Sequence, residues 1–336
     1  MALVALDGFR SYPNAIDMQP AWSFGDFAIG NASFTGGFDT SGPGGARERY
    51  GSTNSGGTYG VTKILPGNYS RLAVSFDLRV TATTYLSING PAHFERTKSS
   101  SQIAGQARVY FQSNNDAEFY WSIPTAATGA SYSALKVAEG GSLTANETYH
   151  VELLIDVTAA LGTFKLRLNG QTVIDTTFDR DRIANGYQAT AFNEIMFTGG
   201  GRISNFLVYT EDADHTFPLG PTDIGYLETP NGDLAMSPAA SDATFLQIVS
   251  PNYTALDLTD PPAGTIRGAA LVYRVGASDG QQQADVVVQA ASGGTAYATE
   301  TTTVTPGTPF VTKHKILPMA ALSDLANMQI KVKSGS

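Results

Sequence analysis

Between residues 71 and 80 the chain reads RLAVSFDLRV, with Leu72, Val74, Phe76, Leu78 and Val80 on one side of a two-residue repeat. Arg71, Ala73, Ser75, Asp77 and Arg79 fall on the other side. Side chains alternate faces along a strand, so this pattern predicts a strand with one face against a core. The same period recurs from Tyr149 to Val157, where Tyr149, Val151, Leu153, Ile155 and Val157 oppose His150, Glu152, Leu154 and Asp156. The next segment, TFKLRLNGQTVIDTTF, sets Asn169-Gly170 between Leu168 and the β-branched run Thr172, Val173, Ile174. Both central residues of a type I′ turn need positive φ, so Asn-Gly predicts a hairpin there. Strands at Asn193 to Phe197 and Ile203 to Tyr209, separated by Gly199-Gly200-Gly201, extend the pattern into an antiparallel meander.

Residues 36–60 break the alternation. Gly, Ser and Thr dominate GGFDTSGPGGARERYGSTNSGGTYG, which holds too little apolar surface for a core and reads as a long loop. A shorter loop is expected around KSSSQ in 96–105. The run TEDADHTFPLGPT gathers acidic residues and two prolines after the last strand of the meander, which marks a boundary. Beyond it, β-rich runs at Gly268 to Val275, Asp285 to Gln289, Thr301 to Val304 and Met328 to Val332 alternate with Pro and Gly breaks, and only Leu317 to Ala326 reads as helical. The expected organisation is a sandwich-like β domain over 1–212, a linker over 213–222 and a smaller β-sandwich over 223–336. The fold class is all-β and antiparallel.

A chain of 336 residues with 42% hydrophobic residues can supply two cores, and 35 glycines with 16 prolines suit short strands joined by tight turns. Thirty acidic against 21 basic residues give a formal charge of -9, which opposes gripping nucleic-acid phosphates. There is no cysteine, hence no disulfide framework or thiolate metal site. The apolar run Ala2 to Leu6 before Asp7 lacks a basic flank and is too short for an export signal, and no run approaches the ~20 residues of a membrane span.

Candidate chemistry is sparse. Glu152 and Asp156 share a strand face, but four residues apart they stand roughly 13 Å from each other. Paired carboxylates for sugar hydrolysis need about 5 to 9.5 Å, so these read as solvated outer-face charges. His93, His150, His215 and His314 show no ligand spacing, and neither nucleophile-elbow nor phosphate-loop patterns occur. The acidic clusters Glu211, Asp212, Asp214 and Asp179, Asp181 do not reproduce a calcium loop. Sequons at Asn31, Asn68, Asn146 and Asn252 have meaning only in a secreted chain. No cofactor and no metal is expected. The aromatics are more informative: Tyr110, Phe111, Phe119, Tyr120 and Trp121 crowd two neighbouring segments, and consecutive ones must point to opposite faces. Tyr110, Tyr120 and Trp121 are therefore the candidate residues for stacking on a sugar or a partner chain, with burial between sheet and loop as the alternative.

The opening MALVALDGFRSY, with Asp7-Gly8-Phe9 and Tyr12, resembles the start of many tailed-bacteriophage virion proteins whose first domain is a concanavalin/laminin-G-like jelly roll. YHVELLIDVTAALGTFKLRLNGQTVIDT followed by NEIMFTGGGRISNFLVY is similar to the closing half of such a domain. Leu219-Gly220-Pro221 and Pro230-Asn231-Gly232-Asp233 resemble the junction into a second β domain, so the likeness runs through nearly the whole chain. Arg10 and Ser11 depart from the acidic residue and His that often follow the Asp-Gly-Phe, and no sugar-site signature is carried over. The resemblance implies a virion structural protein, in tail tip, fibre, baseplate or capsid decoration, without enzymatic activity. The implied partners are other virion proteins, further copies of itself and, as the alternative role, a host surface glycan, with neither nucleic acid nor membrane insertion. The implied location is the virion, assembled in host cytoplasm.

Overall fold

The computed structural model describes residues 3–7, 23–24, 60–81, 83–90, 105–125, 132–183, 188–199, 201–213, 215–221, 254–257, 266–276, 284–305 and 311–334. The glycine-rich stretch over 36–59, the loop over 96–104, Gly8-Phe9 and the Pro230 to Asp233 segment lie outside these residues. The chain divides into two compact units, one of 1–9 with 22–223 and one of 10–21 with 224–336.

The first unit contains β1 (Leu3–Asp7), β2 (Ser23–Phe24), β3 (Gly60–Tyr69), β4 (Arg71–Arg79), β5 (Thr84–Asn89), β6 (Gln106–Phe111) and β7 (Asp116–Pro124). It continues through β8 (Tyr132–Ser142), β9 (Thr148–Asp156), β10 (Leu161–Leu168), β11 (Gln171–Asp179), β12 (Phe192–Gly199) and β13 (Arg202–Tyr209). A six-stranded sheet runs β1-β13-β4-β9-β10-β11 and a seven-stranded sheet runs β2-β3-β12-β5-β6-β7-β8. All pairings are antiparallel, and the unit is a jelly-roll sandwich. The alternation at 71–80 places Leu72, Val74, Phe76, Leu78 and Val80 inward, each fully buried. The Asn169-Gly170 turn has φ of 49° and 80°, as its hairpin requires, and joins β10 to β11.

The expected meander is correct for β9, β10 and β11 but not for the last two strands. β12 pairs with β3 and β5, whereas β13 pairs with β1 and β4, so the Gly199–Gly201 segment carries the chain from one sheet to the other. Glycine is required there: at Gly199, with φ of 102°, an added Cβ would overlap the Thr83 carbonyl oxygen.

The two sheets meet through aromatic side chains. Phe119 on β7 stacks on Phe164 of β10 at 3.8 Å, Phe76 on β4 meets Phe197 of β12 at 5.1 Å, and Trp121 on β7 meets Phe178 of β11 at 4.7 Å. Burying each such ring contributes roughly 1.5–3 kcal/mol. On one side the sandwich closes where β8 packs beside β11. Gly140 allows that approach, because a Cβ there would overlap the Val173 carbonyl oxygen, and at Gly141 (φ 76°) one would lie 2.8 Å from the Val173 side chain.

The second unit has β14 (Thr254–Asp257), β15 (Ala270–Val275), β16 (Ala284–Ser292), β17 (Thr295–Val304), β18 (Val311–Ile316) and β19 (Gln329–Ser334). A four-stranded sheet β14-β19-β16-β17 and a two-stranded sheet β15-β18 enclose a core that includes Leu271, Tyr273, Val288, Ala290 and Val332. The expected helix is a 3₁₀ helix over Met319–Asn327, which contributes Ala321 and Leu325 to that core. Among the described residues no helix is long and apolar enough to cross a membrane.

Candidate functional site

The outer face of the seven-stranded sheet gathers the polar chemistry that the inner face excludes. On β5, Leu86 and Ile88 point inward, so Tyr85, Ser87 and Asn89 point outward; on β6, Ala107, Val109 and Phe111 leave Gln106, Arg108 and Tyr110 outside. On β7 the outward set is Glu118, Tyr120 and Ser122, and on β12 it is Glu194, Met196 and Thr198. The antiparallel registers then line these residues up in three rows. The first is Ser122, Gln106, Asn89, Glu194; the second is Tyr120, Arg108, Ser87, Met196; the third is Glu118, Tyr110, Tyr85, Thr198.

The third and second rows hold an aromatic group. Tyr85 meets Tyr110 edge-on at 4.7 Å, and Tyr110 meets Tyr120 at 4.6 Å. Tyr85 is exposed and the other two are half-buried, so this part of the face is accessible. Glu118 accepts hydrogen bonds from Tyr120 Oη at 3.0 Å and from Lys136 Nζ at 2.6 Å, and Lys136 also pairs with Glu139. The hydrogen bond from Lys136 holds the Glu118 carboxyl below its ordinary value, and the reciprocal bonds to Glu118 and then Glu139 push Lys136 up. Partial burial, then the bond to Glu118, raises the Tyr120 phenol, which stays a donor at neutral pH.

The first row is buried. Ser122, Gln106, Asn89 and Glu194 are 0%, 1%, 1% and 7% exposed. Asn89 Nδ2 donates to Glu194 Oε1 at 2.7 Å, and Arg108 Nε donates to Gln106 Oε1. Because a carboxylate only accepts and a guanidinium only donates, these two bonds fix both amide orientations. What remains is an acceptor at Asn89 Oδ1, a donor at Gln106 Nε2 and a hydroxyl at Ser122, all buried and without a hydrogen-bond partner among the described residues. Leaving such groups unmatched costs about 1–3 kcal/mol each, so the row calls for a polar occupant.

Of the residues expected to stack on a ligand, Tyr110 and Tyr120 are on this face and Trp121 is not. Trp121 points into the sandwich, 0% exposed, with its Nε1 donating to Arg180 O at 3.1 Å. The alternation that turns Tyr120 outward turns its neighbour inward, so Trp121 is a core residue. No local pattern in the sequence singles out Asn89, Gln106 or Glu194. Their outward parity is legible in each strand, but only the register between strands brings them into one row.

The other sheet's outer face is covered at its centre, on β4 and β9, while Lys165 on β10 is half-buried and Asp175 on β11 stays exposed. Glu152 is 1% exposed, not a solvated charge: its Oε1 accepts the Gly220 backbone N–H at 2.8 Å, and Arg167 Nη1 lies 3.7 Å from its Oε2. Asp156 is held by Thr158 and by Arg71 at 2.7 Å, and Arg71 also bonds Glu211 at 2.6 Å. Residues 211–213 and 215–221 thus lie as a strap anchored at Arg71 and Glu152. Beside it, His150 Nδ1 meets Asp77 Oδ1 at 2.9 Å and His150 Nε2 meets Ser75 Oγ at 3.4 Å, the order of groups that activates a serine nucleophile. Ser75, however, is 1% exposed and sits mid-strand, paired on one side with Glu152 and on the other with Leu207. A serine in that position cannot present its own N–H to an oxyanion, and the three residues form a covered polar network. The acidic loops are likewise engaged: Asp212 accepts from the His215 N–H at 3.0 Å, Asp181 pairs with Arg180 at 2.7 Å, and Asp179 accepts the Asp181 N–H at 3.0 Å. Among the described residues no cluster of three His, Asp or Glu side chains could hold a metal ion, and Asp214 lies outside them.

The solved structures similar to this chain are alike at low identity and over about half of its length. The carbohydrate-binding module CBM66 from Bacillus subtilis is 13% identical over 45% of this chain and 82% of its own, with a TM-score of 0.30. The CBM2 module of the evolved Dit of Lactobacillus casei BL23 phage J-1 is 14% identical over 51% of this chain and 81% of its own, at 0.32. A sialidase is 17% identical over 46% of this chain but only 14% of its own length, at 0.29. No protein-family model and no curated protein matches the chain, so its assignment ends at the fold: an all-β antiparallel jelly-roll sandwich followed by a smaller β-sandwich.

Proposed function

We propose that the chain is a non-catalytic component of a tailed-phage virion that binds a surface glycan through the outer face of its seven-stranded sheet. The observation that carries the glycan reading is the accessible tyrosine group Tyr85, Tyr110 and Tyr120 on that face, with the Glu118 carboxylate and the Lys136 ammonium beside it. Aromatic rings accept the apolar face of a sugar, and a few placed polar groups fix its orientation. The virion setting, with assembly on other virion proteins and on further copies of the chain, is supported by the sequence resemblance at the N-terminus and at Leu219-Gly220-Pro221.

The test is to probe an array of bacterial surface polysaccharides with the labelled full chain and with Tyr110→Ala. Retention of a polysaccharide by the wild type, lost in the variant at unchanged melting temperature, is the expected result. A wild type that retains none refutes the glycan role and leaves assembly alone, and a variant that binds as well refutes the tyrosine group as the site.

A further inference from the structure

We infer that β17, the edge strand of the second unit's four-stranded sheet, is where two copies of the chain join, by antiparallel pairing of β17 with β17 about a two-fold axis at Thr301. This join rests on the proposal that the chain assembles with further copies of itself, and gives that assembly a surface. β17 pairs with β16 along one side, and among the described residues no strand pairs along its other side. A bare edge offers backbone N–H and C=O groups to any strand that fits, and edges are ordinarily blunted by lysine, proline, a bulge or an inward-pointing charge. From Ala298 to Val304 β17 has no lysine or proline, and its bulge against β16 lies before that stretch, at Tyr297. The charge within it, Glu300, is matched by Lys315 of its own chain at 2.8 Å. In the first unit, by contrast, β8 and β11 cover each other.

The side chains along this edge are complementary to themselves. A two-fold axis perpendicular to a sheet keeps every side chain on its own face, so residues directly opposed across the join have the same parity. Centred on Thr301, the join opposes Thr299 to Thr303, Glu300 to Thr302 and Ala298 to Val304 of the second copy. Thr299, Thr301 and Thr303 are exposed on the outer face, so the join there is a run of threonine pairs, whose β-branched bodies pack and whose hydroxyls bond across adjacent strands. On the inner face Ala298 meets Val304, and neither carboxylate meets the other. The neighbouring registers are poorer: centred on Glu300 two carboxylates oppose each other, and centred on Thr302 each Glu300 falls against the apolar Val304.

The experiment measures self-association of the full chain by analytical ultracentrifugation, for the wild type, Thr301→Lys and Thr301→Glu. At the axis Thr301 opposes its own copy, so either substitution sets like charges together, whereas an equimolar mixture sets opposite charges together. Thr301→Cys and Thr295→Cys give a second readout, because the chain has no cysteine, both positions are exposed, and directly opposed Cα atoms lie about 4.5–5.5 Å apart, within reach of a disulfide. Thr295 falls outside the join. The wild type should associate, each charged variant at least tenfold more weakly at unchanged melting temperature, and the mixture as tightly as the wild type. Mild oxidation should link Thr301→Cys into dimers at least tenfold more than Thr295→Cys. Association that neither charged variant weakens, a mixture no tighter than its components, or equal linking at the two cysteine positions overturns the join at β17 while self-assembly stands. If a charged variant does not fold, the cysteine pair decides. A wild type that stays monomeric at every concentration refutes both self-assembly and its surface, and leaves the glycan role to its own test.

Discussion

Glu152 offers the sharpest test of how the first unit is held together, because its carboxylate supports the strap from inside. Replacing it with Ala removes the acceptor for the Gly220 N–H at 2.8 Å and the partner of Arg167 at 3.7 Å. An unsatisfied buried N–H costs about 1–3 kcal/mol and stranding one member of a buried ion pair about 3–5 kcal/mol. Both figures must be discounted, since Gly220 is only half-buried and the Arg167 side chain keeps 20% of its exposure and has Gly170 O as a further acceptor, so the sum is about 3 kcal/mol. For a unit of this size 1 kcal/mol moves the melting temperature by about 2–4 °C, so Glu152→Ala should lower it by about 6–12 °C. Glu152→Gln keeps an oxygen for Gly220 and should cost about 1 kcal/mol. Calorimetry gives the melting shift, and hydrogen exchange over 215–221 should accelerate in the Ala variant far more than in the Gln variant. An Ala variant melting within about 2 °C of wild type, or unchanged exchange over the strap, would refute the reasoning.

Two further outcomes are expected. Gly140→Ala forces a methyl group against the Val173 carbonyl oxygen and should destabilise the first unit by about 1–3 kcal/mol, whereas Gly294→Ala, where a Cβ meets open space, should melt as wild type in the same scan. The Glu118–Lys136 pair gives a signed pH dependence. The lowered Glu118 contributes stability fully above the ordinary carboxylate value of about 4.3 and loses it as pH falls through the lower folded value, while the raised Lys136 contributes below about 10.4 and loses it as pH rises beyond. The melting gap between wild type and Glu118→Gln should therefore hold from about pH 5 to about pH 9 and close in acid; a gap that widens below about pH 4 would contradict the pairing.

The strands were legible wherever a strict two-residue period met a strong turn, as at 71–80 and at Asn169-Gly170, because both signals are local. Sheet membership was not. Nothing in Asn193 to Tyr209 says that β12 and β13 separate into different sheets, since that depends on pairing with strands more than a hundred residues earlier in the chain. The same limit explains the site. Parity along β7 predicts that Tyr120 and Trp121 oppose each other, and they do, but not which of them faces outward; the core takes the larger ring. Glu152 has the parity of an outer-face residue, yet the strap that buries it begins almost sixty residues later. Outward parity is a local property, whereas exposure depends on what the rest of the chain lays over the face.

The closure of β8 against β11 matters beyond the fold of one molecule. A bare strand edge offers unpaired N–H and C=O groups to any identical chain, a hazard that grows steeply when many copies are concentrated together. At Gly140 the missing side chain lets β8 lie directly over the Val173 carbonyl, so on this side the edge backbone of β11 faces its own chain. Two adjacent glycines thus act as a safeguard of solubility: a bulkier residue at either position would prise the edges apart, and the defect would register as concentration-dependent strand addition between copies.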